Sequence, residues 1–452
     1  MSHPRLPARF RLLPLLLAVG TGFSVSAQAQ SLVDLYNAAR DYDATYQSAK
    51  SSYEANLAKA DQAKALLLPT VGLSAGASQT SQDNLATSAR PASSYNYGSQ
   101  SATIGLSQPL YRPANWASYE QGKKQTELAQ AQLLAAEQDL VIRVSQAYFD
   151  VLSSSDNLTF VKSQKAAVAE QLASAKRNFE VGTSTITDSR EAQARYDLVI
   201  AQELAADNDL KVKSIALDQL VGKQNANPKP LLAPVVLADV QPADVDQWVR
   251  QSEITHPGIK QLEVALDVAK LETQKAEAGH KPTLDLTGSY TAANSSNGSS
   301  LASTNYDSRV NQATVGLSFN LPLFAGFAIQ NRVKETLALE DKARSDLEAT
   351  KRAVAQGTRT AYFGVQSGLG QVKAYEAAEA SSQSALDATK LGYQVGVRIN
   401  IDVLNSQSLL FDTKAKLAKA RYDVLLGGLK LRQANGTLKA DDLQPINSLL
   451  AQ

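Results

Sequence analysis

Residues 391–405 read LGYQVGVRINIDVLN, and residues 177–191 read RNFEVGTSTITDSRE. Each stretch has an aromatic (Tyr393, Phe179) three residues before a glycine (Gly396, Gly182) and an aspartate (Asp402, Asp188) six residues after it. The two glycines stand 214 residues apart, and so do the two aspartates. Sequence of helical composition runs into and out of both stretches. They therefore read as the sharp turns of two long helical hairpins, each stopped by a glycine able to take a left-handed backbone.

The same offset recurs elsewhere. Ala147-Tyr148-Phe149 returns as Ala361-Tyr362-Phe363, and Pro69-Thr70 returns close to that spacing as Pro282-Thr283. Ala102-Thr103-Ile104-Gly105-Leu106-Ser107 returns as Ala313-Thr314-Val315-Gly316-Leu317-Ser318. A period this long is no solenoid; it marks a duplicated unit and internal pseudo-symmetry. The expected division is a leader over 1–29, repeat one over 30–230, a linker over 231–246, repeat two over 247–440 and a tail over 441–452.

Each repeat has one grammar. Residues 31–67 are rich in Ala, Gln, Lys and Leu without Pro or Gly, which predicts helix, ended by Pro69. From Thr70 the period becomes two: Val71, Leu73 and Ala75 alternate with Gly72, Ser74 and Gly76. Residues 81–96 read as a loop and residues 99–111 as a second strand. In repeat two, Leu284, Leu286 and Tyr290 oppose Asp285, Thr287 and Ser289; residues 294–307 read as a loop; then Val315, Leu317 and Phe319 oppose Thr314, Gly316 and Ser318. Strands of about ten residues with one apolar face and one small, polar face fit a membrane barrel with a watery lumen. Tyr111, Tyr290, Phe319, Phe324 and Phe327 near the strand ends fit an interfacial girdle. Four strands cannot close a barrel, and an open edge is forbidden in lipid, so other chains must complete it. Three chains would give twelve strands.

The helices are long. Residues 114–181 hold a single glycine before the turn and no proline, and span roughly 100 Å at 1.5 Å per residue. The equivalent stretch, 327–395, carries Gly357, Gly364, Gly368 and Gly370, and is expected to be softer or kinked there. Such helices need neighbours along their length, as in a helical barrel. The helices after the turns, about 188–222 and 401–435, are half as long, and 31–67 and 247–279 must supply the rest. The proline-rich stretch 223–246 and the tail are expected to form a small mixed region beside them.

Composition narrows the function. Arg5, Arg9 and Arg11, the apolar run 12–19 and Ala27-Gln28-Ala29 have the layout of a secretory signal, expected to leave Gln30 first. Its removal would take the formal charge from +1 to −2, and no basic block offers a nucleic-acid site. After it, no run of about 18 apolar residues marks a transmembrane helix. There is no cysteine. His256 and His280 have no nucleophile or ligand set at motif spacing, so neither catalysis, metal nor cofactor is expected. Gly368-Leu369-Gly370 is too short for a nucleotide fingerprint.

The chain resembles the TolC family of outer-membrane efflux channels over about 30–445. GHKPTLDLT (279–287), FEVGTSTITD (179–188), QARYD (193–197), GYQVGVRINIDVL (392–404) and KARYDVL (419–425) carry the resemblance, together with the duplication. The resemblance implies an α + β membrane protein: a homotrimeric, 12-stranded outer-membrane β-barrel continued by a long α-helical barrel, with two internal repeats per chain. It implies a periplasmic adaptor and an inner-membrane pump or ABC exporter as partners, outer-membrane lipid around the barrel, and drugs or secreted proteins as cargo. Gln171, Thr187, Asp188, Tyr393, Arg398 and Arg421 match positions that tie the inner hairpin shut. Asp402 matches a carboxylate ring at the constriction, where Asn405 replaces a second one. Lys390 stands in place of a glutamate that bonds to the position of Gln171. Gly182 and Gly396 match the adaptor-docking turns.

Each site has a plainer reading. Thr185 and Asp188 have capping-box spacing, and Asp402 also falls at a helix start. Phe179 and Tyr393 fit core aromatics at helical spacing. An exposed Arg398–Asp188 pair would contribute roughly 0–1 kcal/mol, a suitable size, tripled by symmetry, for a gate opened by a partner. The other class of function that fits a barrel anchor is a structural or adhesive surface trimer, but an anchor does not require a second strand pair.

Overall fold

A computed structural model describes residues 29–451 apart from 87, 89–92, 233 and 298–306. Residues 1–28 of the expected leader lie outside the described residues, as does most of the loop expected at 294–307. Repeat one runs α1 (Leu32–Tyr42), α2 (Ala44–Ala65), β1 (Thr70–Asn84), β2 (Ser93–Tyr111), α3 (Pro113–Glu180) and α4 (Ile186–Val221). Repeat two follows the same order: α5 (Val245–Thr255), α6 (Pro257–Glu277), β3 (Thr283–Ser296), β4 (Ser308–Asn320), α7 (Ala328–Gln394) and α8 (Asn400–Ala434), before a short α9 (Leu443–Asn447).

Two expectations need correction. The helix expected over 31–67 is two helices. Asp43 adopts extended backbone, ends α1 and caps α2 by accepting the Tyr46 N–H at 2.8 Å. Arg143 of α3 then grips the same carboxylate with two bonds of 2.9 Å. In repeat two the equivalent break comes from Pro257, which holds His256 extended between α5 and α6.

The strands are also longer than ten residues. β1 has 15, β2 19, β3 14 and β4 13. Much of 81–96 is strand, because its polar residues pair across the hairpin (Ser81 with Asn96, Asp83 with Ser94). Fifteen residues span about 50 Å, or roughly 35–40 Å of height at a barrel strand's tilt of about 35–45°, more than the ~25 Å apolar band of an outer-membrane barrel. The Ser- and Asn-rich ends can therefore stand clear of lipid.

α7 runs for 67 residues through its four glycines without a break in its helical assignment. Gly368 has a packing reason: a Cβ there would stand 2.8 Å from Val424 Cγ2 of α8.

The sheet order is β1-β2-β3-β4, antiparallel throughout. Its register aligns Leu73, Ile104, Tyr290 and Ala313 in one row and Val71, Leu106, Gly288 and Val315 in another. The alternate rows are Ser74, Thr103, Thr291, Gln312 and Gly72, Gly105, Ser289, Thr314. One face is thus apolar and the other small and polar across all four strands. The apolar face is bare: Val71 is 70% exposed and Val315 81%. β1 and β4 each have one unpaired edge.

Two hairpins, α3–α4 and α7–α8, lie side by side through α3 and α8. Midway along them the Ala-Tyr-Phe repeat holds the connecting segments. Tyr148 Oη donates to the Lys229 carbonyl at 2.9 Å, and Tyr362 Oη donates to the Ala243 carbonyl. The tail packs there too: Leu231 bridges to Leu450, and the Ala451 N–H donates to the Pro230 carbonyl at 2.8 Å.

Candidate functional site: the hairpin tips

Both turns have the same backbone. After α3, Gly182 has φ +77°, the Thr183 N–H donates to the Asn178 carbonyl at 2.8 Å, and the Gly182 N–H donates to that of Phe179 at 3.0 Å. After α7, Gly396 has φ +79°, with Val397 donating to Gly392 at 2.8 Å and Gly396 to Tyr393 at 3.1 Å. These are Schellman closures, which only the glycine makes without strain. Around them Phe179, Val181, Ile186, Val395, Val397 and Ile399 are exposed.

The helix starts beyond the turns differ. Thr185 caps α4 by accepting the Asp188 N–H at 3.2 Å, while Asp188 Oδ2 accepts the Thr185 N–H at 3.0 Å and the Thr185 and Ser184 hydroxyls at 2.8 Å. Burial pushes the Asp188 carboxyl up, but these hydrogen bonds outweigh it and hold the group below the usual aspartate range. The equivalent cap of α8 is Ile399, which has no side-chain acceptor. Asp402 is therefore left out of any capping box. Its nearest cation is Arg398, at 3.7 Å on the same helix start. One residue, Thr185 against Ile399, sends twin aspartates to different uses.

The expected gate residues divide into three groups. Gln171 Nε2 donates to Asn400 Oδ1, and Asn400 Nδ2 donates to the Asp188 backbone carbonyl at 3.2 Å. Tyr393 Oη accepts from Asn178 Nδ2 at 3.2 Å. These bonds join the second hairpin to the first. By contrast Thr187 is exposed, the Asp188 carboxylate is engaged in its own cap, and Arg398 pairs with Asp402 rather than Asp188 within the chain. Arg421 is not at the tip. It lies about 21 residues into α8, roughly 32 Å along the helix, where Nη2 donates to Glu376 Oε1 at 2.8 Å. Asn405 Oδ1 accepts from Arg195 Nη2 of α4 at 2.8 Å. Lys390 is exposed and has no partner among the described residues.

Asn178, Arg195 and Asn400 were not among the expected ties. Asn400 has a sequence signal, a polar residue between Ile399 and Ile401 at a helix start, and Arg195 falls in the QARYD motif, but neither pattern names its partner. Among the described residues, no helix is long and apolar enough to cross a membrane, and no three His, Cys, Asp or Glu side chains gather to hold a metal.

The profile of the outer membrane efflux protein family matches residues 35–223 and 248–437, one match for each repeat. The chain is 33% identical over 439 residues to outer membrane protein TolC of Vibrio cholerae, covering 97% of this chain and 98% of that protein. It is 29% identical over 422 residues to the alkaline protease secretion protein AprF of Pseudomonas aeruginosa, covering 92% and 87%. The Campylobacter jejuni CmeC outer membrane channel superposes with a TM-score of 0.77 at 16% identity, covering 99% of this chain and 98% of that one, a likeness of fold.

Proposed function

The chain belongs to the outer membrane efflux protein family, and from that premise we propose that three copies form an exit duct across the outer membrane and periplasm for efflux and type I secretion. The observation that carries this reading is the sheet. Its apolar face is bare along the rows of Leu73 and Val71, its opposite face is small and polar, and both edges are unpaired. In hydrocarbon each unsatisfied backbone group costs several kcal/mol. A 15-residue edge and a 13-residue edge thus oppose insertion by tens of kcal/mol. Pairing β1 of one copy with β4 of the next removes that cost, and it exceeds the ~4–15 kcal/mol lost on association. Three copies supply twelve strands and a polar lumen.

α3 and α7, 68 and 67 residues long, carry the hairpin tips roughly 100 Å from the barrel. The tips form the periplasmic gate. Ties of the second hairpin to the first hold it shut, and Asp402 lines the constriction as the carboxylate ring, with neutral Asn405 one turn further in. Transport is passive. The tie energies are small enough for a bound partner to overcome. That partner is a periplasmic adaptor seated on the Gly182 and Gly396 turns and their apolar rim, linked to an inner-membrane pump or ABC exporter. Relatives named for outer-membrane efflux and for protease secretion support both cargo classes.

Deletion of the gene tests the reading. Loss of resistance to detergents and dyes, restored from a plasmid, is the expected result. Intact resistance with lost surface adhesion would instead place the protein among surface trimers.

A further inference from the structure

Among the described residues of the tip, the Asn400 side chain hydrogen-bonds to both helices of the opposite hairpin. Asn400 is the first residue of α8 and only 1% exposed. Its Oδ1 accepts from Gln171 on α3, and its Nδ2 donates to the Asp188 carbonyl on α4 at 3.2 Å. One turn further along α8, Leu404 is fully buried in one cluster with Leu172 of α3 and Ala192 of α4. The other ties near the tip are different. Asn178–Tyr393 spans 3.2 Å at partly exposed groups, and Arg195–Asn405 is exposed at 2.8 Å. Water can replace those bonds as they break. It cannot do so at Asn400, only 1% exposed, without entering the packed interface, so separation there strands a buried amide.

Resting on the duct reading above, we propose that Asn400 is the clasp that positions the second hairpin in its closed place. A buried asparagine in an apolar helical interface weakens packing but admits only the arrangement that satisfies it. Here that arrangement fixes α8 against α3 and α4 at once. Release is then all-or-none at this point: the amide has both partners or neither, and the exposed ties follow it.

The test is single-channel conductance of the purified trimer in planar lipid bilayers. Asn400→Ala removes both bonds and is expected to lower the closed-to-open ratio roughly tenfold per chain, read as a large rise in conductance. Arg195→Ala, which breaks an exposed tie, is expected to give a smaller rise. Because Gln171 acts through Asn400, Gln171→Ala with Asn400→Ala is expected to conduct like Asn400→Ala alone. Independent addition of the two effects, or wild-type conductance in Asn400→Ala, would overturn the proposal. If Asn400 variants do not assemble as trimers, Gln171→Ala decides: raised conductance supports the clasp, and wild-type conductance sinks it. A trimer that passes no current as wild type and in every one of these variants refutes the duct itself, whereas a measurable wild-type current left unchanged by Asn400→Ala refutes the clasp alone.

Discussion

The two hairpins begin their return helices with unequal caps, and this inequality should be visible as unequal local stability. α4 starts from Thr185, whose hydroxyl accepts the Asp188 N–H while Asp188 returns a bond to the Thr185 N–H. α8 starts from Ile399, which caps nothing. A threonine cap is worth about 1 kcal/mol over an apolar residue, or a roughly fivefold change in the opening equilibrium of the first turn. Ile399 is 61% exposed, so replacing it with threonine forfeits under ~0.5 kcal/mol of burial. Asp402 already sits three residues on, where the box requires it. Ile399→Thr should therefore build the second capping box with a net gain of about 0.5–1 kcal/mol per chain. Amide hydrogen exchange of the intact trimer measures this. In the wild type the first turn of α8 should exchange faster than that of α4. Thr185→Ala should speed the α4 turn about fivefold, and Ile399→Thr should slow the α8 turn by a somewhat smaller factor. Equal protection in the wild type, or no slowing in Ile399→Thr, would refute the reasoning. So would the loss of its functional corollary, that the second hairpin is the softer one at the tip and so the one that moves.

Asp156 is pushed up by burial, against which Tyr422 donates its one hydrogen bond, at 2.6 Å. A carboxyl raised in the folded state contributes stability below its unfolded value that is lost as pH rises through the folded one. Asp156→Asn should thus raise the thermal midpoint at neutral pH, and the gain should vanish as pH falls toward 3.8. Asp43 is the opposite case: hydrogen bonds from Arg143 hold it low, so its contribution is present at neutral pH and lost on acidification. Arg143→Ala should cost roughly 2–3 kcal/mol at pH 7 and flatten the acid limb of a stability-against-pH profile. Leu73→Arg on the apolar face should cost about 2–4 kcal/mol near mid-membrane and cut the yield of outer-membrane trimer, whereas Ser74→Arg on the polar face should assemble and alter conductance. Asp402→Asn should weaken block by multivalent cations in bilayer recordings, since Asn405 offers no second charge.

The duplication, the strand faces and the two turns were legible in the sequence because each is a local pattern. Alternation of Val71, Leu73 and Ala75 with Gly72 and Ser74 states a two-faced strand wherever it ends up. The strand ends were not legible. Ser, Asn and Gln in 81–96 have loop composition, and only the partner strand makes them extended. The break at Asp43 was hidden for a similar reason, since one aspartate in a helix-forming run reads as surface until Arg143 arrives from 100 residues away. At the tip, the capping box of Thr185 and Asp188 could be read directly from its spacing. The partners of Gln171, Arg398 and Arg421 could not, because they depend on how α3 and α8 are rotated about each other. Those helices are rich in small residues on several faces, so their periodicity does not fix that rotation.

The shared barrel is the centre of the account, and the absence of cysteine from the chain makes it directly testable. Ser74→Cys on β1 combined in turn with single cysteines along 311–319 of β4 should, at the matching register, give an oxidised ladder on a denaturing gel that ends at three chains. A ladder that continues past three, or oxidation that leaves only single chains at every register, would contradict a barrel closed by three copies.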